Sequence, residues 1–223
     1  MGWYTIPMEK FVTQLQRWYL ENSRDLPFRK TREGYSVWVS EIMAQQTRIE
    51  TMLPYYERWM NRWPTLRSLA EAQEGDVLKM WEGLGYYTRA RNLHKGAKLL
   101  VQEENGEFPY TAAAIASIVY DEKVAAIDGN VSRVVSRLMK IETEISGASA
   151  QKIVNDKMKD WIDDSIPHIF TQAMMELGAL VCTPKSPDCD HCPVREHCLA
   201  DRDQTAGRYP IKKAKAKVPT EKY

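Results

Sequence analysis

Apolar side chains recur at helical spacing along almost the whole chain, and this limits the fold class more than any other feature of the sequence. Phe11, Leu15, Trp18 and Tyr19 share one face, and Val37, Ile42 and Met43 share another. Tyr55, Tyr56, Trp59 and Met60 follow Pro54, which fits the first turn of a helix. Leu66 to Ala72 and Val77 to Trp81 read as short helices. Asn92 to Val101, Ala112 to Tyr120, Val131 to Leu138, Ile153 to Ile162 and Phe170 to Val181 complete the set. No segment alternates apolar and polar residues as a half-buried strand does, and Gly and Pro fall between the helices. The expectation is an all-α fold of roughly eight to eleven helices.

Apolar residues make up 43% of the 223 positions, enough for a sizeable core, and charged residues make up 27%. No apolar run is long enough to span a bilayer. The first 25 residues lack the basic start and apolar block of a secretory signal, so a cytoplasmic location is expected. The net charge of +1 says little about partners, but its distribution says more. From Gly207 onward Arg208, Lys212, Lys213, Lys215, Lys217 and Lys222 face one acid, Glu221. That stretch reads either as a phosphate-contacting arm or as a solvated terminus. Arg89, Arg91, Lys95 and Lys98 form a second basic group in a helical stretch.

All the cysteines of the chain lie in "CTPKSPDCDHCPVREHC": Cys182, Cys189, Cys192 and Cys198. Disulfides are rare in a reducing cytosol. Zinc sites commonly use two close cysteine pairs, and only Cys189 and Cys192 form one here. One compact loop wrapped around an iron–sulfur cubane suits the spacing better, with zinc left as the alternative. The segment from Cys182 is poor in aliphatic residues and could not build a core without a metal. His94, His168, His191 and His197 are expected at the surface or in caps, because four cysteines complete the site.

Two carboxylates stand out by context. Glu41 lies among Trp38, Val39, Ile42 and Met43, where partial desolvation would suit a general acid; the plain alternative is a solvated charge on an amphipathic helix. Asp128 interrupts the apolar run in "AAIDGN" and reads as the N-cap of the helix near Val131, a place that keeps a carboxylate ionised. One protonated and one ionised carboxyl is the pairing that glycosidic cleavage needs.

The cysteine spacing, at the end of an all-α chain, resembles the cluster loop of the endonuclease III and MutY branch of DNA glycosylases. "VWVSEIMAQQTRIETMLPYYERW" resembles the catalytic-glutamate helix of that branch, "WEGLGYYTRARNLH" its wedge loop, "AAIDGNVSRVVSRL" its catalytic-aspartate segment and "AMMELGALVC" the helix leading into the cluster. The motifs keep family order over roughly Phe11 to Ile211. The resemblance implies a two-lobed helical fold, with a barrel lobe at 29–121 bearing Glu41. Residues 1–28 and 122–223 would form a cluster lobe bearing Asp128. It implies a 4Fe–4S cluster on the four cysteines. It implies hydrolysis of the N-glycosidic bond of adenine mispaired with 8-oxoguanine or guanine in double-stranded DNA, by a monomer with no membrane partner. Glu41 would protonate the departing base and Asp128 would stabilise the cationic sugar. Asn130 would orient that aspartate and the water. Tyr110 stands where bifunctional relatives carry a nucleophilic lysine, which implies a monofunctional enzyme. Gln45, Gln46, Tyr86 and Tyr87 would face DNA, Gln46 and Tyr86 as wedges in the base stack. Arg29 and Glu176 would lie near the adenine pocket, although a surface role remains the alternative for each.

The chain departs from the family pattern in several places. Ala44 replaces a leucine and Phe28 a tryptophan. "NGEFPYTAAAIASIV" runs from Pro109 straight into Tyr110, where relatives insert a helix-hairpin-helix that anchors a DNA phosphate. Its absence implies weak, salt-sensitive binding to all duplexes. The sequence also stops soon after "YPIKKAKAKVP", without the domain that reads 8-oxoguanine, so weak discrimination of the opposite base is expected. The rival readings are a thymine or uracil mismatch glycosylase, a non-catalytic cluster-bearing DNA binder, and an electron-transfer protein.

Overall fold

The computed structural model describes residues 8–102 and 113–212. Tyr110, the Pro109–Tyr110 junction and the basic tail beyond Lys212 lie outside the described residues. Within them there is no strand, as the periodicity requires, and twelve α-helices form. These are α1 Met8–Asn22, α2 Pro27–Lys30, α3 Gly34–Ala44, α4 Ile49–Arg62, α5 Leu66–Ala70, α6 Glu74–Met80, α7 Thr88–Gln102, α8 Ala113–Tyr120, α9 Gly129–Leu138, α10 Ala148–Asp163, α11 Pro167–Leu180 and α12 Leu199–Arg202. The count exceeds the expected range because α2 and α12 are four residues long, too short to show a period. Pro54 sits inside α4 rather than in its first turn. The helix runs through it because Met52, Tyr56 and Trp59 bury one continuous face, and the missing N–H removes a single internal bond.

The chain divides into two compact units, Arg24–Tyr120 (the central unit) and Met1–Ser23 with Asp121–Tyr223 (the terminal unit). In the central unit, α3 is buried on all sides from Tyr35 to Ser40. Indoles dominate the packing around it. Trp59 meets Trp63 and Trp81 edge-on, with ring centroids 4.9 and 5.6 Å apart, an arrangement that adds to their area burial. The Tyr35 hydroxyl links two of these residues: Trp59 Nε1 donates to Tyr35 Oη (3.2 Å), and Tyr35 Oη donates to the Trp63 carbonyl (2.9 Å). α7 packs close to α3 at Gly96, where a Cβ would lie 2.8 Å from the Trp38 ring.

In the terminal unit, α11 packs against both α1 and α9. Phe11 and Leu15 from α1, Val131, Val134, Val135 and Leu138 from α9, and Phe170, Met174 and Leu177 from α11 fill the core. The α9 stripe falls at i, i+3, i+4 and i+7, so Arg133 and Arg137 project from the flank of the same helix. The histidine expectation fails at two positions. His94 is 2% exposed and His197 is 7% exposed. His197 packs edge-on against Phe11 and places Nε2 2.8 Å from Gln14 Oε1, so helix α1 supplies the partner that makes its burial tolerable. His168 and His191 pair at the surface with Asp121 and Asp188.

Candidate active site and iron–sulfur centre

After α11 the chain turns through Cys182, Cys189, Cys192 and Cys198, and all four line one cavity floored by Val134, Leu138, Leu177 and Val194. Burial pushes the Cys189 thiol up to about 11, with the Asp201 carboxylate adding to the effect. Burial likewise pushes Cys192 up to about 12, with further contributions from Cys182, Cys198 and Cys189. Thiols whose ionisation is opposed by burial need positive charge to become ligands. Four sulfurs around one common cavity suit a multi-iron cluster. Arg137 is 1% exposed and donates through Nη1 to Cys182 Sγ (3.2 Å) and the Thr183 carbonyl (2.7 Å). Its Nε meets the Ala206 and Tyr209 carbonyls at 3.0 and 3.1 Å. A guanidinium enclosed in this way compensates thiolate charge and ties α9 to the start of the loop and to the segment after α12.

One turn earlier on α9, a second arginine organises the candidate aspartate. Asp128 is the N-cap, and its Oδ1 accepts from the Val131 amide at 2.7 Å. Its Oδ2 accepts from Asn130 Nδ2 at 2.9 Å. Asn130 Oδ1 accepts from Arg133 Nη2 at 2.7 Å. Arg133 also donates to the Gly178 and Cys182 carbonyls, each at 2.8 Å. The arginine can only donate, so it determines which way the Asn130 amide faces and leaves the NH2 for Asp128. The carboxylate thus connects through two side chains to the backbone of the first cysteine. Asn130 and Asp128 are brought together as the sequence suggested. Glu176, on α11 of the same unit, is 0% exposed, which removes the surface alternative for it.

In the central unit, Glu41 is half-buried on α3, one turn beyond the buried Val37 and Trp38. Just past the helix end, Gln45 and Gln46 are exposed, and Gln46 has φ 56°. Tyr86 and Tyr87 are 66% and 39% exposed, and Tyr86 has φ 49°. The tyrosines are therefore surface aromatics, not core. Arg29 is half-buried on α2 and directs Nη1 at the Arg24 carbonyl (3.4 Å).

The sequence profile described as the HhH-GPD superfamily base excision DNA repair protein matches residues 39–162, more than half of the chain. The chain belongs to this superfamily. A second profile, the iron–sulfur binding domain of endonuclease III, matches residues 182–198, from the first cysteine to the last. The loop is an iron–sulfur site, and the cysteine group at 182–198 fits a 4Fe–4S cluster. Among curated relatives, the adenine DNA glycosylase of Rattus norvegicus is 42% identical, covering 89% of this chain and 43% of the rat protein. The adenine DNA glycosylase of Homo sapiens is 40% identical, over 85% of this chain and 39% of the human protein. The chain thus spans about two fifths of the length of these relatives. Among solved structures, a thermostable thymine-DNA glycosylase superposes with a TM-score of 0.72 at 19% identity, covering 88% of this chain and 97% of that one. A trapped endonuclease III–DNA covalent intermediate gives a TM-score of 0.69 at 17% identity, covering 90% and 99%. Both share the all-α fold of the superfamily.

Within this superfamily chain, sequence reasoning missed Arg133, Arg137 and Gly178. The two arginines repeat at i, i+4 beside a valine stripe, a pattern that resembles an ordinary solvated flank. Gly178 lets α11 approach the aspartate segment: a Cβ there would lie 2.6 Å from Asn130 Cβ and 3.1 Å from its Cα. Gly178→Ala is expected to displace Asn130 and to destabilise the fold by about 1–3 kcal/mol, read as a lowered Tm. An unchanged Tm would show that the two helices can part without cost.

Proposed function

We propose that this chain is a monofunctional adenine DNA glycosylase acting on adenine mispaired with 8-oxoguanine or guanine in duplex DNA. The observation that carries the reading is the built aspartate: Asp128 caps α9 and takes a second hydrogen bond from an asparagine whose orientation Arg133 dictates. The names of the mammalian relatives support it, as does the half-buried Glu41 on the buried helix α3. The base leaves the stack first, and Gln46 and Tyr86 wedge into the stack near the orphaned base. Glu41 then gives its proton to a ring nitrogen of adenine. The C1′–N9 bond breaks, its electron pair departs with the neutral base, and the ionised Asp128 stabilises the cationic C1′. Water, held by Asn130 and Asp128, adds to C1′ and gives its proton to the Glu41 carboxylate, which restores the acid and leaves an abasic site. Glu176 and Arg29 remain the candidates for adenine recognition, and position 110 is a tyrosine, which offers no amine, so no Schiff base forms. In this reading the cluster lobe is residues 1–28 with 122–223, and the Glu41 lobe is 29–121. The 4Fe–4S cluster supplies the crosslink that orders its loop.

A single-turnover assay on a duplex with adenine opposite 8-oxoguanine tests the proposal. The expected result is adenine release by the wild-type chain and a loss of roughly a hundredfold or more in Glu41→Gln, which cannot donate a proton. Release of thymine or uracil in place of adenine would favour the mismatch alternative. Full activity in Glu41→Gln would end its assignment as the acid.

A further inference from the structure

The basic group at the start of α7 includes one arginine that does not face solvent as the others do. Lys95 and Lys98 are exposed, and Arg91 pairs with Glu74 at 3.4 Å on the surface. Arg89 turns inward. Its Nη1 lies 3.1 Å from each of the Ile42 and Met43 carbonyls, reaches the Gln45 carbonyl, and is 3.3 Å from Thr47 Oγ1. Its Nη2 lies 3.1 Å from the Leu84 carbonyl, 3.3 Å from that of Gly85 and 3.3 Å from Thr47 Oγ1. The guanidinium carbon stands over the rings of Trp81 (5.3 Å) and Tyr86 (5.6 Å). One planar cation therefore binds two separate turns. The first closes α3, the Glu41 helix, and presents its last carbonyls, which have no partner within the helix and attract a cation. The second is the Leu84–Tyr87 turn.

Each turn contains one non-glycine residue in the left-handed region: Gln46 at φ 56° and Tyr86 at φ 49°. Side chains other than glycine and asparagine rarely stay there unless their surroundings hold them. Arg89 contacts both turns through its donors. We propose that Arg89 is the positioning residue of the DNA-facing surface, tying the turn of Gln46 to the turn of Tyr86 so that both are presented together. This role rests on the glycosylase reading above, because it gives the two turns a duplex to meet. The geometry also opposes the simpler view of Arg89 as a phosphate ligand. Five carbonyls and a hydroxyl already surround its terminal nitrogens, and its Nε is buried without a partner. Lysine could not replace it, since an ammonium is a single compact charge and cannot span two turns with a planar fork.

The test uses the full chain with its cluster, as wild type, Arg89→Met and Arg89→Lys. Hydrogen exchange without DNA reads the tie directly. The amides of Thr47, Leu84 and residue 89 are bonded within the turns, to Ala44, Trp81 and Tyr86. Arg89→Met should speed exchange about tenfold in the peptides covering both turns, and leave α1 and the cysteine loop unchanged. Arg89→Lys should loosen both turns less, and it serves alone if the Met variant fails to fold. Loosening of one turn, or of neither, overturns the tie. Affinity is then measured across a salt series for two duplexes, one intact and one carrying a tetrahydrofuran abasic analogue. The expected result is about a tenfold loss of affinity for the abasic duplex, with intact-duplex affinity and its salt slope unchanged. An equal loss on both duplexes, with the slope reduced by about one, makes Arg89 a phosphate contact and overturns the proposal. Loosened turns with an unchanged preference for the abasic duplex leave Arg89 a structural residue and also overturn it. A wild-type chain that fails to distinguish the duplexes overturns the glycosylase reading and the presentation role, while the exchange data still decide whether Arg89 joins the turns.

Discussion

Asp128→Asn is expected to lower the rate of adenine release by on the order of a thousandfold while leaving the protein folded and able to bind duplex. The two effects separate because the carboxylate makes two kinds of contact. Oδ1 accepts from the Val131 amide, and an asparagine oxygen can keep that cap. Oδ2 receives Asn130 Nδ2 at 2.9 Å, and the substitution sets an NH2 against an NH2. Asn130 cannot turn over to relieve this, since its oxygen is held by Arg133 at 2.7 Å. Loss of a hydrogen bond to a charged group costs about 1.5–3 kcal/mol, so Tm should fall by a few degrees. The larger loss is kinetic, because no negative charge then faces the cationic sugar. Single-turnover rates on adenine opposite 8-oxoguanine, set beside binding to an abasic-analogue duplex, measure both effects. A near wild-type rate would show that Asp128 caps a helix and does nothing more.

Cys192→Ser should remove the brown colour and most of the iron, which is expected at about four atoms per chain in the anaerobically purified wild type. The thermodynamic penalty extends beyond one lost ligand. Cys182, Cys192 and Cys198 pack against the core of the terminal unit, and Val194 between them is 1% exposed. When the loop loosens, Arg137 loses its Cys182, Thr183 and Pro184 partners while still enclosed by α9 and its neighbours. A buried charge left without compensation costs about 3–5 kcal/mol. For a chain of this size that corresponds to a fall in Tm on the order of 10 °C. Metal analysis and thermal unfolding read the two parts separately. Wild-type protein carrying stoichiometric zinc and no iron, from cells supplied with iron, would refute the cluster. A serine variant of unchanged Tm would mean that the segment folds without it.

Features that depend on neighbours within a few positions are largely legible in the sequence. Apolar spacing of 3.6 residues is a local signal, so α1, α8, α9, α10 and α11 were legible to within a few residues, and the four-cysteine loop could be assigned from spacing and resemblance. Asp128 was readable as a cap because a cap bonds two or three residues ahead. Tertiary structure alone decided where polar groups on those helices came to rest. Glu176, His94, His197 and Arg137 are all buried, although nothing in their immediate sequence separates them from surface residues. The partners that make burial possible come from far along the chain: Arg137 bonds across 46 positions to Thr183 and 72 to Tyr209. Arg89 bonds across 47 positions to Ile42. A buried polar side chain is stable only when distant segments bring it donors and acceptors, and that information exists only once the chain has closed around it.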